Sequence, residues 1–237
     1  MAEEVKRKQS GVKEYLSSIL IAVGLALIIR TGVVQAFYIP SGSMEDTLLV
    51  GDYLLANKFI YGAPIDLPGT SKWYSKLGLD EDGYLFRLPA LRDPQPGDIV
   101  IFRSLDDPDR DLIKRCVAVG GQEVKVINKV LYVDDERFAD PHRAKYMDRK
   151  KWYPATSSPR DNFAPYKVPK DHFFMMGDNR DNSQDSRWFG AVPRQMIKGK
   201  AMIIYWSWER DYRTSFFTGL TSLPSRVRYG RLGNVIY

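Results

Sequence analysis

The chain opens with a long apolar stretch and then changes pattern. From Ile19 to Ile29 no polar side chain occurs, and from Leu16 to Val34 the only charge is Arg30. A helix over that stretch rises about 28 Å, close to the roughly 30 Å hydrocarbon core of a bilayer. Arg30 falls near the outer end, where a long side chain reaches the headgroups. Lys6, Arg7, Lys8 and Lys13 precede the stretch, and no Lys or Arg follows Arg30 until Lys58. By the positive-inside rule the N-terminus stays in the cytoplasm and the remainder is translocated. A cleaved secretory signal shares this pattern, and Val34-Gln35-Ala36 has the small-residue character of a cleavage site. The length of the apolar stretch favours an uncleaved anchor over 15–37, after a cytoplasmic segment 1–14.

Beyond the anchor the periodicity becomes that of strands. Val50–Tyr61, Asp98–Phe102, Asp111–Val119, Glu123–Ile127, Val130–Val133, His172–Met176 and Lys200–Trp208 are short, apolar and rich in β-branched or aromatic residues. Asn128-Lys129 predicts a tight hairpin between two of them. Residues 62–97 contain Pro64, Pro68, Pro89, Pro94 and Pro96 and predict a long surface excursion. Residues 134–171 are charged and Pro-dotted, and read as an inserted subdomain or long loop. The tail from Glu209 to Tyr237 is basic and aromatic, and its pattern assigns it no place. The fold class is mainly β, with an extracytoplasmic domain over 38–237.

Composition narrows the chemistry. Thirty-five Lys and Arg against 29 Asp and Glu give a formal charge of +6, suited to an anionic surface or to nothing beyond solvation. Cys116 is the only cysteine, so an internal disulfide and a CxxC metal site are both excluded. It lies in an apolar string and reads as a packed strand residue. With only His142 and His172, a histidine-based triad or zinc site has few candidates.

Three segments carry candidate chemistry. Pro40-Ser41-Gly42-Ser43-Met44 follows the membrane exit, and Gly42 lets the backbone turn sharply between two serines. Alone it reads as a structural turn rich in Ser and Gly. A serine hydroxyl needs a neighbouring base. Lysine serves only when neutral, which burial promotes by lowering its pKa. Lys114, in Asp111-Leu112-Ile113-Lys114-Arg115-Cys116-Val117, is the outstanding candidate. Side chains alternate across a strand, so Lys114 and Arg115 point to opposite faces and one can be buried. Read locally, Lys114 is also a plain edge-strand lysine. The third segment, Met176 to Arg187, alternates acidic, basic and small polar residues. It lacks the Gly and Glu of an EF-hand. It suits a rigid loop held by ion pairs, placed to support a site.

In order and in detail these segments resemble bacterial type I signal peptidases. The resemblance rests on Ile39-Pro40-Ser41-Gly42-Ser43-Met44, Gly51-Asp52, Gly97-Asp98-Ile99-Val100, Ile113-Lys114-Arg115 and Gly177-Asp178-Asn179-Arg180-Asp181-Asn182-Ser183 through Asp185-Ser186-Arg187. It implies a signal-peptidase-like β catalytic domain that removes signal peptides after small residues of the Ala-X-Ala type. Ser43 would be the nucleophile and Lys114 the general base. The Ser43 amide and the Ser41 hydroxyl would form the oxyanion hole. Ser183 would orient Lys114, and Asp178, Asp185 and Arg187 would support it. Ile39, Met44, Leu48, Leu112 and Ile113 would wall the substrate pockets, and Trp73, Tyr74 and Phe86 would add to an apolar surface resting on the bilayer. The implied partners are preprotein signal peptides and the lipid bilayer, with no metal, cofactor or nucleic acid. The implied location is the bacterial inner membrane, single-pass, with the catalytic domain on the periplasmic side. Two departures stand out: Glu45-Asp46 occupies the place of an apolar residue and proline in many members, and Val119-Gly120-Gly121-Gln122 replaces a turn containing Pro-Gly-Asp. A self-cleaving Ser–Lys repressor relative lacks the anchor, and a catalytically silent anchored β-domain would not need Ser43, Lys114 and Ser183 together.

Overall fold

The computed structural model describes residues 2–62, 64–65, 86–107, 109–148, 158–209 and 223–237, without the side chains of 2–12, 28–31, 65, 86, 223 and 224. Trp73, Tyr74 and the Phe86 side chain therefore lie outside the described residues.

Helix α1 runs from Ala2 to Gly32. Its large apolar side chains from Tyr15 to Leu27 face no protein; Ile19, Leu20 and Ile21, which point in three directions around the helix, are 46%, 70% and 70% exposed. Among the described residues no helix is long and apolar enough to cross a membrane. The stretch read as an anchor over 15–37 divides. The helix stops at Gly32, and Val34–Tyr38 forms strand β1, paired antiparallel with β2 (Asp52–Asn57) from Val34↔Asn57 to Tyr38↔Tyr53. Valine, phenylalanine and tyrosine prefer this pleated surface, so the change to strand comes while the composition is still apolar.

The remaining strands are β3 (Pro64–Ile65), β4 (Phe86–Arg87), β5 (Ile99–Arg103), β6 (Asp111–Val119), β7 (Glu123–Ile127), β8 (Val130–Val133), β9 (Glu136–Arg137), β10 (Phe163–Lys167), β11 (His172–Met176), β12 (Val192–Pro193) and β13 (Ile197–Ser207). One sheet has the order β1-β2-β13-β5-β6-β11-β12, and a second has β10-β7-β8-β9. The middle of the larger sheet is buried on both faces. Ile99 and Ile101 enter one apolar cluster with Ile39, Met44 and Leu48, while Val100 and Phe102 enter another with Cys116 and Met175. This explains why Asp98–Phe102 reads as a continuous apolar run.

The stretch 134–171, read as an inserted subdomain or long loop, is described at 134–148 and 158–171. Its β9 and β10 complete the sheet begun by β7 and β8, and Phe163 packs with Leu131, Phe174 and Met176. The β7–β8 turn has Asn128 at φ 53° and Lys129 at φ 72°, the left-handed pair that a two-residue hairpin needs. The described end of the tail, 223–237, also finds a place: Ile236 joins the core, and Arg231 grips the buried Asp52 carboxylate at 2.5 and 3.1 Å.

Candidate active site

Ser43 sits in a single turn of 3-10 helix, Gly42–Met44, entered from an extended Ser41 (φ −131°, ψ 155°). Met44 and Leu48 are fully buried, and the Leu48 amide donates to the Met44 carbonyl at 2.7 Å, so the turn is pinned to the core from beneath. These two residues therefore lie under the turn, not on the pocket wall expected of them. The turn rolls the side chain of Met44 inward as it presents that of Ser43 outward.

Lys114 comes from the middle of β6, opposite Val100 of β5. Its ammonium nitrogen donates to Ser43 Oγ at 2.5 Å, and the residue is 2% exposed. Burial pushes its pKa down to about 8; Asp185 opposes this, while the positive charges of Arg187 and Arg110 act with burial. The strand's alternation sends Arg115 the other way. Its guanidinium grips both oxygens of Asp178, at 2.8 and 2.7 Å, and reaches the Gly97 and Tyr237 carbonyls.

The loop after β11 fastens the turn to the strand. The Asn179 amide donates to the Ser43 carbonyl at 3.1 Å, and its side-chain amide to the Gly42 carbonyl at 3.1 Å. Asp178 accepts from the Thr47 hydroxyl at 2.6 Å. Asp185 caps the short helix Ser186–Phe189, accepts from the Gly177 amide and forms a two-bonded pair with Arg187. Burial alone would raise the Asp185 carboxyl, but Arg187 outweighs it and holds the group below the usual carboxylate range.

Ser183 departs from expectation. Its hydroxyl is buried and, among the described residues, has no hydrogen-bond partner, whereas the Lys114 nitrogen is directed to Ser43. The expected Ser183–Lys114 hydrogen bond is not made here. Ser183 stands beside Gly177. A methyl group on Gly177 would come within 2.2 Å of Ser183 Oγ and 2.5 Å of the Ser43 carbonyl oxygen. Gly177→Ala is therefore expected to destabilise the protein by about 1–3 kcal/mol and to slow cleavage by displacing Ser43. A melting curve unchanged from wild type would show that the loop yields freely.

The pair opens into a groove of about 720 Å³. Ser41, Ile39, Leu112 and Ile113 line it. Phe37, Tyr38, Phe189, Gln184 and an acidic rim at Asp106, Asp107 and Asp109 line it too. No sequence signal marked these, since they come from the neighbouring strand, a far loop and a hairpin tip. Among the described residues no group of three or more His, Cys, Asp or Glu is placed to hold a metal ion. Cys116 is buried in the core, and desolvation pushes its thiol up to about 12.

A serine held against a buried lysine at the floor of a groove, on a mainly β scaffold, has the form of a serine-type peptidase. Comparison with known proteins gives the family. The family description "Signal peptidase, peptidase S26" matches residues 12–206. A signal peptidase I of Pseudomonas fluorescens is 34% identical, the match covering 96% of this chain and 81% of that protein. Signal peptidase I of Pseudomonas aeruginosa is 32% identical over 86% of this chain and 76% of its own length, and that of Aquifex aeolicus 30% over 83% and 85%. A crystal structure of a signal peptidase I from Enterococcus faecalis superposes at a TM-score of 0.37 with 22% identity, covering 46% of this chain and 97% of that one, too loosely to bear on the site. The chain belongs to the signal peptidase family, peptidase S26.

Proposed function

We propose that the chain is a membrane-anchored serine endopeptidase that removes signal peptides from exported preproteins. Ser43 attacks the scissile carbonyl while neutral Lys114 takes its proton. Lys114 then returns that proton to the leaving amine, and a water activated by the same lysine hydrolyses the acyl-enzyme. The contact between Lys114 Nζ and Ser43 Oγ at 2.5 Å, in a buried setting, is the observation that carries this reading. The Ser43 amide belongs to the first turn of a 3-10 helix, where amides have no acceptor within the helix. With the Ser41 hydroxyl it is suited to the oxyanion, where one donor is worth about 2.7–4 kcal/mol.

The groove suits an extended substrate. β6 pairs with β5 from Asp111 to Arg115, but its pairing with β11 ends at Met176↔Arg115. Residues 111–114 thus have a strand edge beside the groove, to which a peptide can add as a further strand. Ile39 and Ile113 give the groove an apolar lining, which suits small side chains near the cut. The exposed apolar surface of α1 supports a single-pass anchor, with the N-terminus in the cytoplasm and the domain on the periplasmic face of the inner membrane.

Detergent-solubilised protein incubated with a preprotein is expected to cut after a small residue. Because the base must be neutral and its pKa is about 8, the rate is expected to rise about tenfold per pH unit below that value and to level above it. A flat profile from about pH 6 to 9, or failure to cut, would overturn the reading.

A further inference from the structure

Glu45 and Asp46 follow the nucleophile turn directly, and the backbone takes an unusual course there. Asp46 has φ 73°, a conformation that costs an ordinary residue energy and is closed to proline. A turn so built needs a tether. The segment around Lys145 supplies contacts from the side away from the groove. The Lys145 amide donates to the Asp178 carbonyl at 2.8 Å, and the Arg180 amide donates to the Lys145 carbonyl at 3.0 Å. The segment is thereby stitched, parallel, to the loop that holds Ser43. The Lys145 ammonium lies 3.3 Å from Glu45 Oε2 and 3.7 Å from Asp46 Oδ1. The Asn179 side-chain amide donates to the same Glu45 oxygen at 3.1 Å while also donating to the Gly42 carbonyl. Arg143 reaches the Asp46 carbonyl at 3.4 Å.

We propose that Lys145 is a positioning residue for the peptidase reaction: by its ion pair with Glu45 it holds the turn that carries Ser43 from outside the groove. The inference rests on Ser43 being the nucleophile. Lys145 is neither substrate-facing nor part of the dyad, and its influence runs through Glu45 and Asn179 to the backbone on either side of Ser43. The pair is partly exposed, with side chains 25% and 39% accessible, so it is salt-sensitive and modest in strength. Small displacements of a nucleophile are nevertheless costly to rate. The expected signature is a loss in kcat with little change in KM.

Lys145→Met and Glu45→Gln are each expected to lower kcat about 5- to 10-fold with KM within about twofold. The double variant should be no slower than either single, and Lys145→Arg should recover most of the rate. Raising NaCl from about 0.05 to about 1 M should slow the wild type and leave Lys145→Met unaffected. Amide hydrogen exchange over residues 42–47 is read in parallel, including in a Ser43→Ala background that needs no turnover. It should quicken several-fold in Lys145→Met without change in β5 and β6. Additive losses in the double variant, a Lys145→Arg protein as slow as Lys145→Met, or exchange over 42–47 unchanged by Lys145→Met would each overturn the proposal. If the wild type fails to cut a preprotein, the dyad reading fails, and the exchange measurement alone then decides whether Lys145 holds the turn.

Discussion

Ser43→Ala and Lys114→Met are each expected to lower preprotein cleavage at least about 10³-fold, and combining them should cost no more than either alone. Two groups that act as one unit show this non-additivity, because removing either leaves the other without its function. Binding and oxyanion stabilisation survive, so a residual rate above that of water is expected. The stability effect of Lys114→Met has the opposite sign. Lysine in the unfolded chain titrates near 10.5, but here near 8. Below about pH 8 the folded protein therefore carries a buried charge at a cost, and Lys114→Met removes that cost. The variant should be more stable by about 2–3 kcal/mol at pH 7. From about pH 8 to 10.5 the unfolded chain binds more protons than the folded one, so wild-type stability rises and the advantage shrinks. Urea titrations at pH 7 and 10 test this. A Lys114→Met protein less stable at pH 7 would mean that burial of the ammonium is not the strained state described.

Asp178→Ala carries the second large effect, this time on the fold. The Asp178 carboxylate is fully buried and faces the Arg115 guanidinium, itself 6% exposed, with the Thr47 hydroxyl on the same carboxylate. Deleting the acid leaves a buried guanidinium short of its counter-ion, and breaking such a pair costs about 3–5 kcal/mol. Replacing both partners together, Asp178→Leu with Arg115→Met, should restore much of the stability, since an apolar pair can substitute for a buried ion pair. It should not restore activity, because Thr47 and the nucleophile turn lose their tether. A loss under about 1 kcal/mol in Asp178→Ala would show that the pair is not a structural centre.

Much of the sheet was legible. Asp111–Val119, Glu123–Ile127, Val130–Val133 and His172–Met176 occur where their apolar pattern and turn residues predict them. Strand β1 was hidden because its apolar residues run on from the helix before it. Strand β10 was hidden for another reason: Phe163-Ala164-Pro165-Tyr166-Lys167 contains a proline, tolerated because the pairing shifts register between Phe163 and Tyr166. The tail has no periodicity, and its described end, 223–237, is placed by long-range contacts, Arg231 on Asp52 and Ile236 in the core among them. At the site, the residues that touch were legible as types but not as neighbours. Ser43 and Lys114 are 71 residues apart, and nothing local states that their side chains meet.

Strand β6 stores the chemistry as a parity. Lys114 and Arg115 differ by one position and serve opposite faces, one facing Ser43 and the other Asp178. Substitutions along the strand change strength, but a one-residue insertion or deletion between Asp111 and Lys114 would exchange the faces. The guanidinium, which cannot give up its proton, would then stand where the base is needed, and the ammonium would face the structural carboxylate. Tolerance to length change in this segment is therefore odd–even: single steps silence the enzyme and disrupt its support at once, while paired steps keep both faces in phase.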